Sequence, residues 1–379
     1  MNAAGRYLIY LTDRRFGPRL CARGRRVEIN NAEAENMAEN RYLQWLSSQT
    51  KSVYWHDSAI VEELDAAMAN GAVGMTTNPF LIASTLKARP DFWRDVLPGV
   101  PEDIQGDARA EEWIAQVTGW LARNKLAPLR GTGAYAGYVC AQTNPCRPGD
   151  TQGMIATARH YASMAENIVI KFPATHGGLE AIEACAAEGL NVAATVSFTV
   201  PQVLAMGEAY QRGREKAIKN GVKPGIGIAV LMVGRLDDYL RDVMNDTRAK
   251  ATEADIIWAG TAAIKRAYGM FRERHYDCAL MPAGCRGGYH ISELAGAEMV
   301  MSIAPAIAKA LLGETDLTEK AENPVDAGIL ERLNDMSEFR KAYEPDGMAV
   351  DDFITFGSCN RTLDQFVQMG WNLLKTTSL

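Results

Sequence analysis

Asn167-Ile168-Val169-Ile170-Lys171-Phe172-Pro173-Ala174-Thr175 is an apolar, β-branched run interrupted by one lysine. A run without polar alternation reads as a strand buried on both faces, as in a parallel sheet covered by helices, and here it is bounded as Asn167–Pro173. An ammonium in such a strand is costly unless it is paired or deprotonated. Seven further runs of the same character accompany it: Val53–Ser58, Ala72–Asn78, Ala134–Asn144, Asn191–Phe198, Gly225–Gly234, Asp277–Gly284 and Glu298–Ile303. Between them, Ala59–Asn70, Thr151–Ala165, Leu179–Glu188, Gln202–Lys219 and Ala254–Arg274 are apolar at i, i+3, i+4 spacing, with charges in between. Eight strands alternating with helices predict an α/β fold, a closed (β/α)8 barrel with additional outer helices. The alternative is an open doubly wound sheet, which would usually carry a Gly-rich phosphate loop after its first strand, where this chain has His56-Asp57-Ser58.

Two segments interrupt the rhythm, residues 89–130 and the tail 314–379, and both read as helical layers outside the barrel. In the tail, Val325–Met336 and Leu363–Lys375 carry helical periodicity, Thr355–Asn360 reads as a turn, and the last helix is expected, by analogy, to cover the barrel mouth. Residues 37–379 are therefore expected to form one barrel domain. Residues 1–36 differ: Arg6, Arg14, Arg15, Arg19, Arg23, Arg25 and Arg26 stand against the single acid Asp13 up to that point. They read as an extension or a misassigned start ahead of Met37, or else as a basic arm for an anionic partner.

The bulk properties narrow the function classes. The 379 residues carry a net charge of −6, which argues against a nucleic-acid footprint, and five scattered histidines offer no metal-ligand spacing. Seven cysteines without a C-x-x-C pair read as reduced thiols of a cytoplasmic protein. No stretch reaches the roughly 18 apolar residues that a membrane span needs. A small anionic ligand would require a local basic pocket.

In a barrel the chemistry sits where strands end and βα loops begin. Those positions carry Asp57; Thr76, Thr77 and Asn78; Gln142 and Asn144; Lys171; Thr195; Arg235; and Arg286. Lys171 reads either as a nucleophilic amine, partly neutral near pH 7 within apolar walls, or as the buried partner of Asp57. Asp57 reads as a catalytic acid or as a helix cap, although Ser58 is the better-placed cap. Thr76-Thr77-Asn78-Pro79 fits a turn and cap with proline at the first helical position. Arg235 can serve an anion or pair with Asp237 or Asp238, whereas Arg286 lacks a close acidic neighbour in the sequence and precedes Gly287-Gly288, whose free N–H groups suit an anion. Two arginines late in the strand order imply a phosphorylated substrate.

From Met37 to about Lys309 these residues, in this order, resemble the transaldolase and fructose-6-phosphate aldolase family. Thr76-Thr77-Asn78-Pro79 with Leu81-Ile82 is similar to its threonine-asparagine-proline signature, and Ile168 to Thr175 to its Schiff-base lysine strand. Val233-Gly234-Arg235 and Leu280-Met281-Pro282-Ala283-Gly284-Cys285-Arg286 resemble its two phosphate-binding segments, and Ile291–Gly296 with Ile303-Ala304-Pro305 continues the likeness. The resemblance implies the same barrel, an enzyme of the pentose phosphate type of carbohydrate metabolism, no cofactor and no metal, and sugar phosphates as partners, with a homo-oligomer as an option. It implies that Lys171 attacks a ketone, Asp57 shuttles the proton, Asn78 binds a substrate hydroxyl beside Thr76 and Thr77, and Gln142 and Thr195 hold the water. Arg235, Gly284 and Arg286 would take the phosphate.

The departures bear on which reaction follows. Typical transaldolases carry glutamate where Gln142 stands, whereas fructose-6-phosphate aldolases carry glutamine. Typical transaldolases also have asparagine, serine and an aromatic residue where Ala193, Val230 and Met232 stand, and Phe80 replaces a small residue. A less polar pocket favours release of the three-carbon fragment, but the chain length and helical insertions resemble the long transaldolase branch. Transfer of a dihydroxyacetone unit is therefore the expectation, with aldolase cleavage as the alternative and a non-catalytic sugar-phosphate binding barrel as the third.

Overall fold

The computed structural model describes residues 39–379; the expectations for residues 1–36 and for Met37 lie outside the described residues. Helix α1 (Arg41–Gln49) leads into strand β1 (Val53–His56), followed by α2 (Val61–Ala69) and β2 (Gly74–Met75). Three helices, α3 (Pro79–Ala88), α4 (Pro90–Val96) and α5 (Gly106–Leu121), precede β3 (Val139–Gln142). Regular alternation follows: α6 (Thr151–Met164), β4 (Ile168–Pro173), α7 (His176–Ala187), β5 (Asn191–Thr195), α8 (Val200–Lys219) and β6 (Gly227–Leu231). Then come α9 (Val233–Thr247), α10 (Glu253–Ile256), α11 (Ala259–Glu273), β7 (Ala279–Pro282), α12 (Tyr289–Ser292), β8 (Val300–Ile303) and α13 (Pro305–Ala310). The tail adds α14 (Ala327–Asn334), α15 (Ser337–Tyr343), α16 (Gly357–Phe366), a π-helical turn Val367–Trp371 and α17 (Asn372–Leu374).

All strand pairings are parallel, in the order β7-β6-β5-β4-β3-β2-β1-β8, and the two end strands β7 and β8 pack side by side. The fold is a (β/α)8 barrel, as the alternation predicts. Each predicted run contains one strand, shorter than the run because ladder pairing stops where the chain turns toward a helix: Ala134–Asn144 pairs only over Val139–Gln142. No helix among the described residues is long and apolar enough to cross a membrane.

Local chemistry corrects three expectations. Ala254–Arg274 is not one helix: Thr252 and Asp255 form a capping box that starts α10, and the helical path restarts at Ala259. Thr355–Asn360 is not a plain turn, because α16 begins at Gly357, directly after a 3-10 segment ending at Thr355. Ser58 does not cap α2. Its hydroxyl donates to Glu63 and accepts from the Ile60 amide, and Ile60 holds the N-cap position without a side-chain bond.

The register fixes which side chains face inward. Lys171 is level with Gln142 on one side and with Ala193 on the other, so these three share a face, and Thr195, two residues past Ala193, lies on it as well. By the same alternation Val230 of the next strand, and Met232 just past its end, line the interior beside them. On β1, Trp55 is opposite Gly74 on one side and Ser302 on the other, and is fully buried. Its indole N–H donates to the Tyr135 carbonyl at 2.8 Å, and a Cβ on Gly74 would lie 2.5 Å from the ring. Gly74→Ala is therefore expected to destabilise the fold by roughly 1–3 kcal/mol through overpacking against Trp55. A urea midpoint unchanged from that of the parent protein would show that the barrel floor is not packed this way.

Candidate active site

Lys171 ends the apolar part of β4 and is only 7% exposed. Its Nζ donates to the Thr77 carbonyl at 3.1 Å, and among the described residues it makes no ion pair. The reading of Lys171 as the neutralising partner of Asp57 finds no contact to support it. Asp57, just past β1, is oriented instead by Thr76, whose hydroxyl donates to Oδ1 at 2.6 Å and also lies 3.0 Å from the Ser302 hydroxyl. Thr77 turns its hydroxyl the other way, onto the Cys140 carbonyl of β3 at 2.6 Å, and so links the ends of β2 and β3. Asn78 is the N-cap of α3, accepting from the Leu81 amide at 3.0 Å, with Pro79 in the first turn. Its Oδ1 therefore serves the helix, while its amide nitrogen has no hydrogen bond to the described residues.

Gln142 is buried beside Lys171, and its Oε1 has no hydrogen-bond partner. A buried unpaired acceptor is costly, and in a polar cavity it points to a ligand or water that completes it. Thr195 is buried at the end of β5. Among the described residues no group of three or more His, Cys, Asp or Glu side chains could hold a metal ion.

The two arginines stand together on the far side of this cluster. Close packing makes this possible: a Cβ on Gly234 would lie 2.3 Å from the Gly284 carbonyl and 2.7 Å from Arg286 Cγ, so the ends of β6 and β7 touch through glycine. Gly284 itself has φ +62, a left-handed turn suited to glycine, with Arg235 Cγ and Met232 Cε within 4 Å of where a Cβ would sit. Burial first, and then the neighbouring Arg286 guanidinium, push the Arg235 pKa down from its ordinary value. Arg235 does not pair with Asp237 or Asp238. Its Nη1 donates to Gln365 Oε1 at 2.5 Å, and its guanidinium lies 5.7 Å from the Phe366 ring centroid. Arg286, by contrast, does have an acidic neighbour: Asp238 lies 2.6 Å from Nη2 and 2.8 Å from Nε, and Nη1 donates to the Gly284 carbonyl. One turn of α9 brings this acid back to the mouth, although it is 48 residues distant in sequence. Directly before Arg286, burial pushes the Cys285 thiol up to about 12, so it is no competing nucleophile.

The α16 to α17 segment roofs one side of the mouth, as expected. Besides Gln365 on Arg235, Gly370 lies against the Pro79–Phe80 backbone, where a Cβ would be within 2.5 Å, and the Trp371 indole donates to Asp107. Phe80, 40% exposed, directs its ring away from the core. Sequence reading missed Ser302 and Gln365, whose partners are distant in the chain, and gave Asp238 to Arg235 where it pairs with Arg286. It also missed Gln202, although Thr199-x-x-Gln202 has capping-box spacing.

A family model described as transaldolase/fructose-6-phosphate aldolase matches residues 54–354. A transaldolase of Arthrobacter sp. (strain FB24) is 31% identical over 212 residues, covering 53% of this chain and 55% of that protein. Transaldolase 2 of Nostoc punctiforme is 23% identical over 328 residues, 77% of this chain and 84% of that protein. A transaldolase of Thiobacillus denitrificans is 25% identical over 250 residues, 64% and 68%. The match thus spans little more than half the length of the first of these relatives.

Directly before Asp57, His56 is buried with both ring nitrogens unpartnered, and burial pushes its pKa down to about 4 from 6.5. The imidazole is neutral in the fold, whereas in the unfolded chain it takes up a proton below about 6.5. Stability is therefore complete above that pH, falls as the pH drops, and levels off below about 4, a loss on the order of 3 kcal/mol from this group. Urea titrations from pH 7.5 to 4 are expected to show a slope between these limits that His56→Leu reduces. An identical slope in the variant would remove His56 as its source.

Proposed function

The chain belongs to the transaldolase/fructose-6-phosphate aldolase family, and we propose that it moves a dihydroxyacetone unit between phosphorylated sugars through a Schiff base on Lys171. The observation that carries this reading is Lys171 itself: a buried amine at the barrel mouth, held by one neutral carbonyl rather than by a carboxylate. An amine so placed is not tied up in an ion pair, as a nucleophile requires.

The neighbouring residues supply the remaining roles. The Lys171 amine adds to the ketone carbonyl of the donor, and the carbinolamine loses its hydroxyl as water to give an iminium. Gln142 and Thr195, on the same face as Lys171, hold that water. Asp57, oriented by Thr76, takes the proton of the C4 hydroxyl as the C3–C4 bond breaks and an aldose phosphate leaves. The iminium is the electron sink, and the resulting enamine adds to an acceptor aldehyde. Asn78 offers its amide to a substrate hydroxyl, and Arg235 and Arg286, joined across Gly234 and Gly284, receive the phosphate. For Arg286 the phosphate would replace Asp238 as the charged partner.

One observation favours a second reading. Gln142 can hold a water but cannot remove its proton, and the flanking Ala193, Val230 and Met232 give the enamine few polar contacts. These features suit release of free dihydroxyacetone.

Incubation with fructose 6-phosphate, with and without erythrose 4-phosphate, separates the two: transfer predicts turnover only with the acceptor, and acceptor-independent dihydroxyacetone supports cleavage. With borohydride, a three-carbon adduct is expected on Lys171 and none in Lys171→Ala; its absence from the wild type across a panel of sugar phosphates would leave a binding barrel. Arg286→Ala should raise KM for phosphorylated donors roughly 10- to 100-fold, the loss of about 1.5–3 kcal/mol of charged hydrogen bonding, with little change for unphosphorylated ones. Equal effects on both donor types would overturn the phosphate assignment.

A further inference from the structure

Val196, the residue after Thr195, has φ +53. A β-branched residue in the left-handed region is a steric outlier and persists only where its surroundings impose it. The imposing group is Gln202, on the first turn of α8 and fully buried. Its Nε2 donates to the Val196 carbonyl and to the Ala174 carbonyl, both at 3.2 Å. Its Oε1 accepts from the Phe198 amide at 2.9 Å and from the Thr199 hydroxyl at 3.1 Å. One side chain thus uses two donors and two acceptors to tie together the ends of β4 and β5. Cys359 of α16 adds a weak contact, its Sγ lying 3.6 Å from the Val196 carbonyl.

Helix capping alone does not account for this. Thr199 already caps α8 by accepting from the Gln202 amide, and capping needs nothing from Nε2, which points back to the strand ends. There it reinforces a second link, the Ala174 amide donating to the Thr195 carbonyl at 2.7 Å. Thr195 is level with Pro173, two residues beyond Lys171. The backbone on both sides of the Thr195 hydroxyl is therefore locked relative to the lysine strand.

We propose that Gln202 is a positioning residue: by holding Val196 left-handed and joining β4 to β5, it keeps the Thr195 hydroxyl directed at the water lost and regained at Lys171. The proposal rests on the reading of Lys171 as the Schiff-base lysine. A group that sets the water's position acts on imine formation and hydrolysis, not on binding of the sugar phosphate. Loss of Gln202 therefore lowers kcat and leaves KM in place.

The test uses the full chain. Gln202→Glu keeps the shape but turns a carboxyl oxygen toward the Val196 and Ala174 carbonyls. It is expected to lower kcat roughly 10- to 100-fold, as a small misplacement of a reacting group does. KM for fructose 6-phosphate should stay within about twofold, since no substrate contact is removed, and the single-turnover rate of borohydride-trapped adduct on Lys171 should fall with kcat. Val196→Gly, which removes no hydrogen bond, is the second variant: it frees the backbone, and although emptying a buried site lowers Tm, a severalfold lower kcat is expected at temperatures where the variant is fully folded. A wild-type adduct together with unchanged kcat in either folded variant, or a rise in KM matching the loss of kcat, overturns the positioning role alone. Absence of the adduct in the wild type overturns the reading of Lys171 and this proposal with it.

Discussion

A lysine at the end of a strand buried on both faces has to be solvated by the protein around it, and much of the mouth follows from that constraint. Lys171 has apolar neighbours below it on β4, and its amine meets the Thr77 carbonyl in the turn after β2, two places round the barrel. That carbonyl is available because Thr77 sits between β2 and α3, where ladder pairing has stopped and the chain has not yet become helical. The Thr77 hydroxyl bonds to β3, and Asn78 caps the helix that follows. The turn is therefore held in place, and no carboxylate among the described residues forms an ion pair with the amine. A carboxylate in that place would stabilise the ammonium and suppress the neutral form that a nucleophile needs.

The barrel was legible because its signal is local. Each parallel strand is a short apolar run and each crossover helix has its own period, so eight repeats of one pattern predict the sheet before any contact is known. The rim residues were legible for a related reason: a polar residue that ends an apolar strand is placed at the mouth by the strand itself. The sequence could not show how those residues pair. Arg286 looked free of acids because Asp238 reaches it from another element, and Arg235 looked able to pair with its own neighbours, yet its partner is Gln365 in the tail. Such pairings depend on which loops the barrel brings together, and spacing in the chain carries no trace of them. Gln202 was hidden differently. It stood only as the first residue of the helical run Gln202–Lys219, and nothing in that run indicates that its side chain turns back to the strand ends.

Packing and charge are coupled where β6 meets β7. Gly234 lets the Gly284 loop approach to within the space of a methyl group, which brings two guanidinium groups side by side. Their mutual repulsion is offset on one side by Asp238 and on the other by neutral Gln365, and Arg235 is buried enough to have its proton affinity lowered. Two cations held this way provide a positive field that water screens poorly on the Arg235 side. In the proposed function, a phosphate would meet this field and displace Asp238 from Arg286.

The roof over Arg235 comes from residues 130 positions further along the chain. During synthesis, all eight strands are made before Gln365 exists, so a closed barrel can precede a finished mouth. Docking of α16 onto α9 and the loop after β5 is then a late, long-range event that carries its own loop-closure entropy. Assembly of the fold and maturation of the pocket become separable steps, the second ending when the last turn settles on Pro79 and Phe80.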